Sequence, residues 1–263
     1  MSTTLPGPPE RTGYAERPAR VPGAALWSSG PSPGGGTVLP DGCMDLMWSG
    51  GRLWVAGPDT RPHRPDRSAP HAGVRFAPGA AHPVLGVPAR ALRDQRVELA
   101  DLWPARTVRA LADRIAAAPD PVAALDAVAL GLRAAGTPDD PRVARIVAGL
   151  RAGRSVGAVA DEVGLGARAL HRRSLEVFGY GPKTLARVLR FQRALALVRA
   201  GTARTDAALA AGYADQAHLA RETRALAGTT LGRLLPGPAS DGQASGANRS
   251  TPLPSGSATS AYR

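Results

Sequence analysis

A pattern that occurs twice in the C-terminal half of the chain restricts the possible folds more than any other feature. The first copy is AVADEVGLGARALHRRSLEVFG, residues 158–179, and the second is ALAAGYADQAHLARETRALAG, residues 208–228. An offset of 48 residues, followed by one added residue in the second turn, aligns three positions: Ala160 with Ala208, Gly164 with Gly212 and Leu170 with Leu219. The chain therefore contains two copies of one small structural unit.

Each copy has the pattern of two short helices joined by a turn that contains glycine. The glycine permits the backbone bend, and the alanine four residues earlier lets the two helices approach closely. The leucine of the second helix anchors that helix to a core. This pattern predicts a helix-turn-helix unit. A single pattern of this kind also fits many helical hairpins, whereas two copies in tandem point to a specific domain.

The segment between the copies, GPKTLARVLRFQRALALVRAG, predicts one long helix. Pro182 suits the first helical position and Gly201 suits the C-terminal stop. A helix of about 19 residues is about 28 Å long at 1.5 Å per residue. A rod of about that length places two recognition helices, predicted at about residues 167–178 and 215–227, in successive major-groove segments, which lie about 34 Å apart.

The positive charge of the chain is concentrated in the same segment. Residues 142–235 carry 16 Lys and Arg against 6 Asp and Glu, a net charge of +10. Residues 1–141 carry 15 against 14, so they are almost neutral. A basic domain of this kind attracts a polyanion, and nucleic acid is the usual one. A solvated arginine-rich surface is the alternative that charge alone leaves open.

The motifs VADEVGLGARALHRR, GPKTLARVLRFQRAL and GYADQAHLARE resemble the DNA-binding domain of the AraC/XylS family of transcriptional regulators. The motifs LPDGCMDLMW, LWVAGPDT and GVRFAPGAA are similar to a β domain found in some of these regulators. The resemblance implies a sequence-specific regulator that binds double-stranded DNA, with RNA polymerase as a partner if it activates. It implies no catalysis and no cofactor.

The chain departs from the family pattern at five positions. Gly166 and Ala214 stand where the family usually has a serine N-cap, and glycine is a better cap than alanine. Ser174 and Thr223 stand where the family has a core phenylalanine, and Leu231 replaces a common proline. These departures bear on the stability and packing of the two units more than on the mode of binding.

Ten side chains of the basic segment are candidates for contacts with DNA. Arginine binds guanine O6 and N7 in bidentate fashion, and glutamine binds adenine N6 and N7 in the same way. The candidates for base edges are Arg168, His171 and Arg172 in the first unit and Gln216, His218 and Arg221 in the second. The candidates for phosphates are Lys183, Arg187, Arg190 and Arg224. Asp215 is expected to support the helix dipole or to orient Arg221.

The chain as a whole is expected to have an α+β fold. Residues 1–25 and 237–263 are rich in Pro, Gly and Ser or Arg and are predicted to be disordered. Residues 26–103 predict a small antiparallel β barrel or sandwich, because short alternating runs are separated by turn motifs. Residues 104–138 predict a helical connector, and residues 139–236 the DNA-binding domain.

The β domain is expected to sense an unknown effector or to mediate self-association, with a homodimer as one form of it. Five side chains are candidates for a small-molecule site: Asp41, Asp45, Trp48, Trp54 and Arg75. For each of them a role in the core or in a turn is the alternative.

Other functions find less support in the sequence. His63, His71 and His82 have no His-x-His spacing, so no metal site is expected. One cysteine, Cys43, cannot supply the zinc-binding cluster of an alkylation-repair protein. A non-specific architectural DNA binder remains the main alternative. The sequence has no apolar run of about 18 residues and no signal peptide, so a cytoplasmic protein without membrane contact is expected.

Overall fold

The computed structural model describes residues 13–31, 36–65 and 68–235. The strands are β1 (Tyr14–Pro18), β2 (Ala24–Ser29), β3 (Met44–Ser49), β4 (Arg52–Ala56), β5 (His71–Phe76) and β6 (Arg96–Glu98). The helices of the first half are α1 (His82–Leu85), α2 (Ala105–Ala116) and α3 (Pro121–Ala135), with 3₁₀ turns at Ala89–Ala91 and Leu99–Asp101. The helices of the second half are α4 (Pro141–Arg151), α5 (Val156–Glu162), α6 (Ala167–Phe178), α7 (Pro182–Arg199), α8 (Arg204–Ala211), α9 (Gln216–Ala227) and α10 (Leu231–Leu234). The predicted α+β class is confirmed.

The strands pair antiparallel in the order β1-β2-β5-β3-β4-β6. Strands β3 and β4 form a hairpin across Gly50 and Gly51, whose φ angles of 57° and 77° favour glycine. Among the described residues the edge strands β1 and β6 do not pair with each other. The barrel or sandwich expected from the sequence thus takes the form of one open sheet, covered on one face by helices.

The sheet begins earlier than the sequence predicted. Residues 1–25 were expected to be disordered, but β1 occupies Tyr14–Pro18 and pairs along its whole length with β2. The strand is hard to recognise because its YAERP sequence is charged and ends in proline, which is tolerated at a sheet edge. Residues 1–12 and the predicted disordered tail, residues 237–263, lie outside the described residues.

The helix-covered face of the sheet forms the first core with α1, α2 and α3. Leu26, Leu46 and Val74 are aligned across three neighbouring strands, and each is at most 1% exposed. Ile115 of α2 and Leu125 of α3 are fully buried in the same cluster. The predicted connector helices therefore complete the core of the β domain.

The second half of the chain contains the two predicted helix-turn-helix units, joined by α7. Helices α5 and α6 form the first unit, and helices α8 and α9 form the second. Leu185 and Leu189 of α7 belong to the core of the first unit, whereas Phe191 and Leu195 belong to the core of the second. Helix α7 thus holds the two units in a fixed relation.

The β domain contacts both units. Leu39, from the segment before β3, is 2% exposed and belongs to the core of the second unit. The backbone oxygen of Pro40 accepts a hydrogen bond of 2.6 Å from Nε2 of Gln192 on α7. Near the first unit, Nε2 of His82 lies 3.7 Å from Oε1 of Glu176. The two halves of the chain therefore form one packed body.

Candidate nucleic-acid interface

The turns of the two units have the same local design. Gly164 and Gly212 follow the first helices with φ angles of 65° and 88°, a conformation that side chains with a Cβ rarely adopt. Ala160 and Ala208, four residues earlier, are almost fully buried. Leu170 and Leu219 of the second helices are 0% exposed. The roles that the repeat assigned to these positions are confirmed.

Helix α6 presents the three predicted base-reading side chains of the first unit to solvent. Arg168, His171 and Arg172 are all exposed, whereas Leu170 between them points into the core. The ring of His171 packs against Gly181, since a Cβ built at Gly181 would lie 2.8 Å from Cε1 of His171. The first turns of α6 thus carry a compact positive surface that faces outward.

Arg173, the next residue of α6, has a different role from its neighbours. Its NH2 group lies 3.2 Å from Oδ2 of Asp140, and its NH1 group lies 3.0 Å from Oε2 of Glu176. Asp140 also caps the N-terminus of α4 by accepting a hydrogen bond from the backbone N–H of Arg142. Arg173 therefore fastens α6 to α4.

Helix α9 begins with a cap that differs from the one predicted. The N-cap was assigned to Ala214, but the cap is Asp215, whose Oδ1 accepts a hydrogen bond of 2.6 Å from the backbone N–H of His218. Aspartate is among the best N-cap residues, so the penalty expected for alanine does not arise. In α6 the predicted N-cap is confirmed, because Gly166 stands there and makes no side-chain bond.

The predicted base-reading side chains of α9 also lie at its N-terminal end. Gln216 and Arg221 are exposed, and Oε1 of Gln216 accepts a hydrogen bond of 3.1 Å from the hydroxyl of Thr205 on α8. His218 is half-buried, with its ring edge-on to Tyr213 at a centroid distance of 5.1 Å. The predicted base-reading set of α9 therefore combines one amide, one guanidinium and one imidazole that is held in place.

The four predicted phosphate contacts fall into two groups. Nε of Arg187 lies 2.7 Å from Oε2 of Glu222, and the guanidinium of Arg190 stacks 4.7 Å above the ring of Tyr213. These two arginines join α7 to the second unit. Lys183 and Arg224 are exposed and form no ion pair with the described residues. They are the two members of the set that remain available for phosphates.

Two polar residues occupy buried positions where the resemblance to AraC/XylS regulators implies phenylalanine. Ser174 and Thr223 are both 0% exposed. The Thr223 hydroxyl donates a hydrogen bond of 2.8 Å to the backbone oxygen of Leu219. The Ser174 hydroxyl has no hydrogen-bond partner among the described residues. The first unit therefore contains a buried hydroxyl without a hydrogen-bond partner. The corresponding hydroxyl of the second unit is hydrogen-bonded within its own helix.

The candidate effector residues are only partly brought together. Nε of Arg75 lies 3.3 Å from Oδ1 of Asp45, which also accepts a hydrogen bond of 2.6 Å from the indole of Trp27. Oε2 of Glu16 lies 3.8 Å from NH1 of Arg75. Asp41 accepts a hydrogen bond from the backbone N–H of Cys43, and burial raises the pKa of Asp41 although Arg75 opposes that rise. A cluster of charges thus lies at one end of the sheet face opposite the core.

The two predicted tryptophans lie on opposite faces of the sheet. Trp54 is paired with Met47 and Glu98, on the face that carries Asp45. Trp48 packs against the helix-covered core on the other face. Sequence reasoning missed Glu16 and Trp27, because their strands lie in or beside the segment that it assigned to disorder. The apolar run AALW at the start of β2 is the signal that could have located Trp27, whereas the charged sequence of β1 gives no such signal for Glu16.

The described residues contain no cluster of three or more His, Cys, Asp or Glu side chains that could hold a metal ion. His63 lies in a β bridge with Val38. His71 is the first residue of β5, and His82 is the first residue of α1.

Burial and the neighbouring Asp41 carboxylate raise the pKa of the Cys43 thiol well above its usual value. A thiol of this kind is a poor nucleophile. No helix among the described residues is long and apolar enough to cross a membrane.

Comparisons with known proteins give two family matches and a set of weak structural likenesses. A helix-turn-helix domain family matches residues 159–235, and a domain of unknown function, DUF6597, matches residues 25–98. No curated protein matches the sequence.

A crystal structure of ToxT from Vibrio cholerae is similar at 9% identity with a TM-score of 0.43, over 84% of this chain and 97% of that chain. Another ToxT structure, from Vibrio cholerae O395, is similar at 10% identity with a TM-score of 0.41, over 80% and 95% of the two chains. Likenesses at this level carry no argument about function. The helix-turn-helix match covers both tandem units and the helix between them, so residues 159–235 belong to the helix-turn-helix domains that bind DNA.

Proposed function

We propose that this chain is a transcriptional regulator, similar to the AraC/XylS family, that recognises a specific DNA sequence with α6 and α9, which read two successive major-groove segments. One observation carries the proposal: the N-terminal turns of both helices present exposed polar side chains, whereas three of the four buried residues of each helix lie in its second half. Helix α7 has 18 residues and is therefore about 27 Å long. This length is compatible with a separation of about one helical turn of DNA.

The two units differ in the chemistry that they offer to the bases. In the first unit Arg168 and Arg172 are suited to guanine, which accepts bidentate bonds from arginine. In the second unit Gln216 is suited to adenine and Arg221 to guanine. His171 and His218 are held by Gly181 and Tyr213 at the edge of the same surfaces. The binding site on DNA is therefore expected to have two unlike halves.

Lys183 and Arg224 are proposed as phosphate contacts that position the two helices. Such contacts carry no sequence information. Arg187 and Arg190 act indirectly in this proposal, since their partners Glu222 and Tyr213 belong to the second unit. They fix the position of α9 relative to α7.

The β domain is proposed to sense a small-molecule effector or to mediate self-association. Two observations support a regulatory role. The cluster of Arg75, Asp45 and Glu16 is charged, and its side chains are 11–16% exposed on the sheet face opposite α1, α2 and α3. Leu39 of the same domain belongs to the core of the second unit, and Pro40 accepts a hydrogen bond from Gln192 of α7. A change in the β domain therefore has a physical route to α9.

The experiment that tests the proposal is a selection of bound fragments from genomic DNA, made with the wild-type protein and with Arg172→Ala and Arg221→Ala. The expected result is one enriched motif with two halves, of which each variant relaxes a different half. Arg109→Ala on α2 is the matched control, because it removes an exposed arginine outside both units. Salt-sensitive binding without any enriched motif would contradict specific recognition and support an architectural binder.

A further inference from the structure

Two loops of the β domain form one structural unit. The first comprises residues 57–64, after β4, and the second comprises residues 88–95, before β6; together they are called the bridging loops. The backbone N–H of Asp94 donates to the oxygen of Pro58, and the N–H of Gly57 donates to the oxygen of Gln95. The backbone and hydroxyl of Thr60 both donate to the Asp94 carboxylate, at 2.7 and 2.8 Å. These bonds hold the bridging loops together.

The bridging loops touch the C-terminal ends of both recognition helices. Gly179 ends α6, and a Cβ built there would lie 2.5 Å from Cγ of Pro58 and 3.0 Å from the oxygen of Ala89. Gly228 ends α9, and a Cβ built there would lie 3.3 Å from Cγ of Pro62. One rigid part of the β domain therefore spans the two DNA-binding units.

The charges of the bridging loops are separated into an inner and an outer set. Asp59 forms a bidentate pair with Arg96, with oxygen–nitrogen distances of 2.7 and 2.6 Å, and Asp94 is bonded to Thr60. Both carboxylates are thus neutralised or satisfied inside the loops. The outer set consists of four exposed arginines: Arg61, Arg64, Arg90 and Arg93. Within the described parts of the chain none of the four guanidinium groups forms an ion pair or a hydrogen bond.

The contact points of the bridging loops are close to the surface assigned to DNA. Gly179 is two residues from Gly181, so the two lie at most about 7 Å apart, and Gly181 packs against the ring of His171. On the other unit, the backbone N–H of Gly228 donates to the oxygen of Arg224, a proposed phosphate contact. An arginine side chain extends this reach by several ångströms.

We propose that the bridging loops are a third DNA contact, in which Arg61 and Arg64 bind phosphates beside the segment read by α9, and Arg90 and Arg93 bind phosphates beside the segment read by α6. This inference rests on the proposed function and adds the β domain to the DNA interface. The partner is the sugar-phosphate backbone of duplex DNA, which unpaired guanidinium groups bind with high complementarity.

The test compares two double variants, Arg61→Ser/Arg64→Ser and Arg90→Ser/Arg93→Ser, on the DNA fragment selected by the wild-type protein. Loss of one phosphate contact reduces the slope of log Kobs against log salt concentration by about 0.9. We expect each double variant to reduce the slope by about 1.8. Hydroxyl-radical footprinting is expected to show lost protection beside the α9 half for the first variant and beside the α6 half for the second.

The matched control is Arg106→Ser/Arg109→Ser, which removes two exposed arginines from α2, away from the bridging loops. It is expected to keep the wild-type slope and footprint. All of these side chains are exposed, so the variants should unfold at the wild-type temperature. The inference is wrong if both loop variants keep the wild-type slope and footprint while Arg172→Ala still loses protection. If the wild-type protein selects no DNA motif, the proposed function fails, and this inference fails with it.

Discussion

At the scale of single residues, side chains of the same type differ in whether they have a hydrogen-bond partner, and the sequence alone does not show this difference. Asp215 could be assigned to the first turn of α9 from the sequence, but its role as N-cap depends on a backbone conformation that the sequence does not state. The structure places the cap one residue later than predicted, with a bond to the His218 N–H. The cap and the base-reading surface are therefore adjacent.

Replacement of Asp215 tests this role. Asp215→Ala is expected to lower the free energy of unfolding by about 1 kcal/mol, because an N–H at the start of α9 loses its acceptor. Asp215→Ser retains a capping oxygen and should keep most of the stability. Chemical denaturation followed by circular dichroism measures both. Equal stability of the alanine and serine variants would show that the cap contributes nothing.

The buried hydroxyl of Ser174 gives a prediction of the opposite sign. Ser174→Ala removes an unsatisfied polar group, whose burial costs about 1–3 kcal/mol, and leaves a better helix former. The variant is expected to be more stable than the wild type. Thr223→Val is the matched comparison, because it removes a hydroxyl that is bonded to Leu219 and should lower stability. Denaturation midpoints that shift in the same direction for both variants would contradict this explanation.

Asp41 gives a prediction about pH. Burial raises the pKa of Asp41 in the folded protein, so the folded state binds this proton more tightly than the unfolded state. The contribution of Asp41 to stability is therefore lost as pH rises from the ordinary aspartate pKa of about 4 through the raised value. Asp41→Asn should raise Tm at pH 7 and have little effect below pH of about 4. Thermal unfolding from pH 3 to 8 would refute this if the two curves ran parallel.

At the scale of elements, periodicity predicted the helices better than the strands. The bounds of α6 agree with the predicted 167–178, and α7 begins at Pro182 as expected. These elements are amphipathic and have clear glycine or proline ends. Strand β1 was missed because its pairing with β2, and not its own composition, determines its structure. The contacts of Arg187 with Glu222 and of Arg190 with Tyr213 were not predicted, since these partners lie on α9 and near it.

Leu39 belongs to the β domain, in the segment before β3, but its side chain packs in the core of the second helix-turn-helix unit. Leu39→Ala is expected to lower the free energy of unfolding by about 2–5 kcal/mol, because it leaves a cavity in the core of the second unit. Binding to the DNA half read by α9 should weaken more than binding to the other half. Leu209→Ala is the matched control, since Leu209 is a leucine of α8 that is 56% exposed.

Calorimetry and footprinting of the two leucine variants distinguish the possible outcomes. The contact between Leu39 and the second unit is real if Leu39→Ala lowers Tm clearly more than Leu209→Ala does. Equal effects of the two substitutions would show that Leu39 is not part of that core.

At the scale of the whole molecule, charge and connectivity could be predicted, but the arrangement of the two domains could not. The net charge of +10 in residues 142–235 identified the domain that binds DNA. The contacts that join the domains, such as Pro40 to Gln192, bridge 152 positions along the chain. No local pattern predicts a contact over that distance. The proposed contribution of the bridging loops to DNA binding depends entirely on this arrangement.

The central claim is that one chain reads two successive major-groove segments with two unlike helices. Protection of guanine N7 from methylation on a selected DNA fragment tests it most directly. The expected result is two protected clusters about 10–10.5 base pairs apart on one face of the duplex. Arg172→Ala should remove one cluster and Arg221→Ala the other. A single cluster, or two clusters that disappear together in either variant, would contradict the claim.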